Sequence, residues 1–376
     1  MSSEVFSLTR RELLGSTAFG AMPVPKFSDR RESRVIVISP GEGDSFNYPY
    51  LLYTPPTTTD EKRPLLVQPN NSGTTTDDFA THRKRAREDV ERGFPRLISE
   101  ELRVPLLVPI FPRPESEPVD WRHYVHQLDT ETMHISGGPL ERVDRQLVGM
   151  IEDAQDRLST EIALTDRVML NGYSASGNFV NRFTILHPEL VTSVTAGGVN
   201  GMVTLPLREA NGRTLNYQIG VADVEEITGD PFDVEAFCEV DQYVYMGAED
   251  QNDTLPGGDA WSDRQREIAR EVYGEDMQED RFPYCESVYS DVGASAEFEL
   301  YEGVGHTVTE KIERDVVTFH REHAELPDTG AEGGSSRRDV SILDILDALG
   351  IPIEAFLTGS VTVLAGLAFL MRRLDK

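Results

Sequence analysis

The sequence predicts an α/β protein: a mostly parallel, eight-stranded sheet flanked by helices, with a transmembrane helix close to its C-terminal end. Three observations lead there. Between about residues 34 and 325, short β-branched runs alternate with longer amphipathic stretches, as parallel strands joined by helical crossovers require. Residues 172–177, "GYSASG", sit where one such run passes directly into a helical pattern. A run of 17 uncharged residues, 355–371, lies near the end.

Composition narrows the function classes first. The chain has 376 residues, enough for one large domain with tails, and 39% are hydrophobic, which is ordinary for a globular core. Its 65 acidic and 36 basic residues leave a net charge of −29. Nucleic acid is excluded as a partner, because phosphate binding needs clustered Lys and Arg. Lysine is scarce (Lys26, Lys62, Lys84, Lys311 and Lys376) and the acids are scattered, a pattern that resembles proteins of halophiles; the plainer alternative is an acidic protein of ordinary habitat. The two cysteines, Cys238 and Cys285, could pair or stay free.

The elements follow in order along the chain. Region 1–30 contains Thr9-Arg10-Arg11-Glu12-Leu13-Leu14 and then a weakly apolar stretch, which reads as a twin-arginine export signal or as a helical start with an exposed arginine pair. Strands are expected at 35–38, 50–53, 65–68, 106–110, 167–170, 191–195, 243–246 and 297–301. Helices are expected at 77–101, 140–158, 178–186, 263–273 and 309–323. These make up one domain over 34–325. Within it, 197–237 breaks the rhythm without a clear strand–helix unit, and long irregular inserts tend to be lids, substrate loops or plain surface excursions. Gly, Ser and acidic residues make 327–350 a flexible linker. The uncharged run 355–371, lengthened to 351–371 with the single charge Glu354, spans roughly 25 Å for the shorter stretch and roughly 31 Å for the longer as a helix, the depth of a bilayer core. Arg372, Arg373 and Lys376 follow it like a stop-transfer anchor, so the expectation is an exported domain tethered to a membrane by its tail.

Chemistry centres on Ser174. A strand ends at the elbow and a helical pattern starts just past it, so the serine would sit on a tight turn that tolerates only small neighbours. Gly172 supplies one of these; the second is Ser176 where G-x-S-x-G would have glycine. A histidine base and a carboxylate are needed to activate such a hydroxyl. "YMGAEDQNDT" places Asp250 after one strand, with Asp253 as the alternative acid, and "YEGVGHT" places His306 after the next. The oxyanion that forms would be held by backbone N–H groups, one from Ala175 and the other from Asn71 or Ser72 in "LLVQPNNSGTTTDD".

Together, "NGYSASGNFVNRFTILHPE", "GGVNG", "YMGAEDQNDT" and "YEGVGHT" resemble the α/β-hydrolase superfamily, and within it the serine esterase branch that includes polyhydroxybutyrate-depolymerase-like and feruloyl-esterase-like proteins. The resemblance covers about residues 45–325 and implies an acyl-enzyme mechanism on small-molecule or polymeric esters, with no metal and no organic cofactor. A peptidase or an acyltransferase could use the same triad, and a catalytically inactive binding module could keep the same fold. His123 and His126 have helical spacing but no accompanying ligand set, so they do not make a metal site, and no glycine-rich phosphate loop is present.

Overall fold

The computed structural model describes residues 33–56, 61–116, 124–257, 260–324 and 326. Ten strands are formed: β1 Arg34–Ile38, β2 Tyr50–Thr54, β3 Leu66–Val67, β4 Leu106–Pro109, β5 Val168–Tyr173, β6 Val191–Gly197, β7 Glu209–Ala210, β8 Arg213–Thr214, β9 Asp241–Gly247 and β10 Ala296–Tyr301. Eight of them make the main sheet, in the order β1-β2-β4-β3-β5-β6-β9-β10. The pairs β1/β2 and β2/β4 are antiparallel; every other pair in it is parallel. The remaining two strands, β7 and β8, form a separate hairpin.

Helices cover both faces, as parallel connections demand. They are α1 Phe79–Arg92, α2 Phe94–Leu102, α3 Thr130–Met133, α4 Val143–Leu158, α5 Ala175–Leu186, α6 Val224–Thr228, α7 Val234–Cys238, α8 Asp263–Tyr273, α9 Phe282–Val292 and α10 Glu310–His323. Alternation along the strands assigns the faces. Leu51, Leu66, Leu106, Met169 and Tyr245 pack with Val90, Ile98 and Val316 of α1, α2 and α10. Their neighbours Leu52, Val67, Leu107, Leu170 and Val244 pack with Leu147, Phe179, Ile268 and Tyr289 of α4, α5, α8 and α9. Buried on both sides, the central strands read as nearly continuous apolar runs.

Four expectations need correction. The single helix over 77–101 is two helices: Gly93 is extended (φ −79°, ψ 172°), ends α1 by donating its N–H to Asp89 O, and starts α2, with Pro95 in the first turn. The third strand shrinks to Leu66–Val67, and β5, β6 and β9 run longer than their β-branched cores. The segment 197–237 holds local order that its mixed composition hides, namely the β7–β8 hairpin and the short helices α6 and α7. Helix α9 was not expected at all, since "FPYCESVYSDV" has only a weak apolar stripe.

Among the described residues no helix is long and apolar enough to cross a membrane. The signal region 1–30, the linker 327–350 and the anchor 351–371 lie outside the described residues. Cys238 and Cys285 are both free thiols, and burial pushes the Cys285 thiol up to about 12.

Candidate active site

Strand β5 delivers Ser174 to the carboxyl edge of the sheet. The serine takes φ 61° and ψ −123°, a conformation that costs a non-glycine residue about 1–3 kcal/mol and persists only when its surroundings enforce it. Its N–H donates to Gly197 O at 2.8 Å, which fixes the turn against β6. Gly172 is required two residues earlier, because a Cβ there would lie 2.1 Å from the Ser176 carbonyl oxygen.

Ser176 strengthens the elbow that its identity made look irregular. Its hydroxyl accepts from Tyr173 N–H at 3.0 Å and donates to Tyr173 O at 2.9 Å, clasping the residue before Ser174. A chain of buried side chains continues from it under the elbow. Gln68 Nε2 donates to Ser176 Oγ at 3.3 Å, Asn171 Nδ2 to Gln68 Oε1 at 2.5 Å, and Thr195 Oγ1 to Asn171 Oδ1 at 2.7 Å. With its proton so used, Thr195 accepts from His320 Nε2 at 3.1 Å, and His320 Nδ1 accepts from Ser193 Oγ at 2.9 Å. His320 is wholly buried, and that desolvation lowers its pKa to about 3, so it is neutral.

The loops after β9 and β10 bring the other two groups in. They are tied together by Ala248 N–H to Tyr301 O and Glu249 N–H to Val304 O, both at 2.9 Å. His306 Nδ1 donates to Asp250 Oδ2 at 2.7 Å, which leaves Nε2 to accept from Ser174 Oγ at 3.0 Å. Asp250 is 4% exposed and is held by Asn252 N–H donating to Oδ1 at 2.8 Å. One face of the imidazole rests on Tyr173, ring centroids 5.1 Å apart, and Gly198 (φ +61°) lets the backbone approach, since a Cβ there would lie 3.1 Å from His306 Cε1. Asp253 is turned elsewhere, pairing with the buried Arg281 at 2.9 Å and accepting from Leu255 N–H. The structure thus brings Ser174, His306 and Asp250 together and leaves Asp253 out.

Ala175 and Asn71 line one cavity of about 300 Å³ with Ser174 and His306. Ala175 is the first residue of α5, so its N–H has no intrahelical acceptor. Asn70 holds the other loop: its side chain donates to Phe111 O at 2.9 Å and accepts from Phe111 N–H at 3.0 Å, extending the ladder past β3 and presenting Asn71 to the cavity. Ser72 does not line this cavity; its hydroxyl lies 3.0 Å from His82 Nδ1. His126 donates from Nε2 to Phe111 O at 2.9 Å, a bond that supports the same loop; His123 lies outside the described residues.

Tyr124, which the sequence offered as a rim residue, does line this cavity; among the other wall residues, Gln127, Asn178, Asn200, Asn252 and Thr254 were missed by sequence reasoning. Asn178, one helical turn after Ser174, and Asn200, within "GGVNG", were open to notice; Gln127 carried no signal. A larger cavity of about 1010 Å³, bordered by Arg142, His187 and Phe232, contains none of the residues that surround Ser174.

No family model and no curated protein matches the sequence. Solved structures do. The chain is similar to poly(aspartic acid) hydrolase-1 from Sphingomonas sp. KT-1, at 16% identity and a TM-score of 0.50 over 77% of this chain and 98% of that one. It is also similar to a ferulic acid esterase (11% identity, TM-score 0.43, 79% and 99% covered) and to an S-formylglutathione hydrolase from Agrobacterium tumefaciens (13%, 0.46, 78% and 95%). The first of these likenesses, together with the strand order, shows the α/β-hydrolase fold.

Proposed function

We propose that this α/β-hydrolase-fold protein is a serine hydrolase that cleaves carboxylic esters through an acyl-enzyme intermediate. One observation carries the reading: Ser174 Oγ lies 3.0 Å from His306 Nε2, His306 Nδ1 lies 2.7 Å from Asp250, and the serine is held in a backbone conformation that puts it at the cavity. In the first step Ser174 Oγ attacks the carbonyl carbon as its proton passes to His306 Nε2. The carbonyl electrons move to oxygen, where the backbone amides of Ala175 and Asn71, two residues that line the cavity, would donate to them. Collapse expels the alcohol, which takes the proton from His306. Water then repeats the sequence on the acyl-serine, releasing the acid and restoring the hydroxyl. Asp250 stabilises the imidazolium in both halves and fixes the tautomer that leaves Nε2 free.

A fluorophosphonate probe tests this in the folded protein at high salt. Stoichiometric labelling of Ser174, absent in Ser174→Ala, with turnover of simple esters, is the expected result; failure to label would remove the reading and favour an inactive binding module. Turnover of peptide amides at rates equal to esters would shift it to a peptidase.

The proposal extends to location: export through the 1–30 signal and a membrane anchor at 351–371 that leaves the catalytic domain outside the cell. Deletion of residues 351–376 is expected to move activity from the membrane pellet to the soluble fraction, and retention in the pellet contradicts the anchor.

A further inference from the structure

Resting on the reading of Ser174 as the nucleophile of an ester hydrolase, we propose that Asn252 is a further catalytic residue. Its side-chain N–H donates to the leaving-group oxygen of the ester while that oxygen takes its proton from His306.

The geometry at His306 carries the argument. With Nδ1 donating to Asp250, the neutral ring keeps one lone pair, on Nε2, and two groups reach it: Ser174 Oγ at 3.0 Å and Asn252 Nδ2 at 3.3 Å. The lone pair also decides which end of the amide faces the ring, because Oδ1 there would set two acceptors against each other. Asn252 lines the cavity together with Ser174, Ala175 and His306. Its backbone and its side chain are held very differently. The backbone N–H donates to Asp250 Oδ1 at 2.8 Å. The flanking loop is fixed as well, by Gln278 Nε2 donating to Asp250 O at 2.7 Å and by the Asp253–Arg281 pair at 2.9 Å. The side chain is exposed, and among the described residues its contact with His306 is its only hydrogen bond. It can therefore turn about its own side-chain bonds without moving the loop.

An ester brings a second oxygen to Nε2. After the attack, the ring holds the serine's proton on Nε2 and must deliver it to the alkoxy oxygen as the carbon–oxygen bond breaks. That oxygen must then lie within hydrogen-bond reach of Nε2, beside Ser174 Oγ, and Asn252 Nδ2 occupies a position within that reach in the free protein. Once Nε2 is protonated, two donors face each other, and the amide is driven to the nearest acceptor, the alkoxy oxygen. One lone pair of that oxygen takes the proton from Nε2, and another accepts from Nδ2–H while the electrons of the breaking bond pass to oxygen. Asn252 gives up no proton; the alcohol leaves with the one from His306, and the ring is neutral again. Such a donor counts in proportion to the charge on the departing oxygen. It serves alkyl esters, whose alkoxides are strong bases, far more than esters of an acidic phenol.

Acetates of ethanol, trifluoroethanol, phenol and para-nitrophenol, which share one acyl group and differ in the leaving oxygen, test the proposal on the full chain by pH-stat. Asn252→Ala and Asn252→Leu both remove the donor, Leu at nearly constant size, and both keep the backbone N–H that holds Asp250. The loss in kcat/KM is expected to shrink along the series, from about tenfold or more for ethyl acetate to within about twofold for para-nitrophenyl acetate. The rate of fluorophosphonate labelling, in which no alkoxide departs, is expected to follow para-nitrophenyl acetate. If one variant does not fold, the other decides. An equal loss on all four esters with equally slow labelling overturns the proposal and leaves Asn252 only steadying His306. Unchanged or faster cleavage of ethyl acetate overturns it too, since the amide would then be a bystander or an obstruction at Nε2. Failure of the underlying reading looks different: in the parent protein Ser174 does not label and none of the four acetates is cleaved, and the proposal falls with it.

Discussion

At Ser174 the backbone is held where glycine would be at ease. With φ 61° and ψ −123° the residue is strained for the sake of where its hydroxyl ends up, and that strain should be measurable once the hydroxyl is dispensable. Ser174→Ala keeps a Cβ in the unfavourable region, whereas Ser174→Gly relieves it. Both variants are expected to be inactive, with the glycine variant the more stable by about 1 kcal/mol after its larger backbone entropy is set against the relief, read from chemical denaturation. Equal stability would mean that the turn is not strained. The reverse substitution at the neighbouring glycine is excluded sterically: Gly172→Ala puts a methyl 2.1 Å from Ser176 O, so loss of fluorophosphonate labelling is expected even if the protein folds. This part of the site was legible in the sequence because the chemistry demands particular residue types in a particular chain order: Ser174, Asp250 and His306 each follow a strand. Gln127, Asn200 and Thr254 were not legible. An amide in a loop looks like any turn residue until three loops far apart in sequence are seen to meet.

Elements explain how the elbow is held from below. The chain from His320 through Thr195, Asn171 and Gln68 to Ser176 crosses from α10 over β6 and β5 to the end of β3, and every bond in it has a donor and an acceptor. Thr195→Val removes the one proton that Asn171 Oδ1 accepts and leaves a buried oxygen unpaired. The expected outcome is a fall of about tenfold in kcat with KM nearly unchanged, restored by Thr195→Ser, since the effect is on the placement of Ser174 and not on binding. Equal loss in both variants would assign Thr195 to packing alone. Two groups in these elements also set opposite pH slopes. His320, held down at about 3, stays neutral in the fold while an unfolded histidine protonates near 6.5. Its contribution is therefore complete above about 6.5 and is lost as pH falls towards 3. Asp89 of α1 runs the other way: burial raises its carboxyl to about 7, so its contribution is complete below about 4 and is lost as pH rises through 7. Urea midpoints between about pH 4 and 7 should show Asp89→Asn losing stability relative to the parent as pH falls, and a parallel pair of curves would contradict the shift. Periodicity made the long elements legible, but it could not see the break at Gly93 or the two-residue β3, where tertiary pairing and a single backbone angle decide.

Over the whole molecule, charge is the dominant unexplained quantity, and physics fixes its consequence. The chain carries 65 acidic and 36 basic residues, so even with every cation paired, a net charge of −29 remains to repel itself across the surface. Exposed pairs such as Arg85–Glu88, Arg87–Glu91 and Arg213–Glu271 are formed, but each is worth at most about 1 kcal/mol and weakens as salt is added. Repulsion among the surplus acids acts over longer range than any pair. At about 0.1 M salt the screening length is roughly 10 Å, and at about 1 M it falls to roughly 3 Å. Screening therefore removes more repulsion than attraction in a protein of this composition. The melting temperature is expected to rise by about 5–10 °C between about 0.1 M and 2 M potassium chloride. Chloride is the salt to use, because sulfate would also strengthen apolar burial and raise the melting temperature of a neutral protein. Sucrose at matched osmolality is the control for general exclusion from the surface. A melting temperature that stays flat or falls across the chloride series, or one that rises equally in sucrose, would show that the acids are spaced widely enough to ignore one another, and the likeness to salt-adapted proteins would then rest on composition alone.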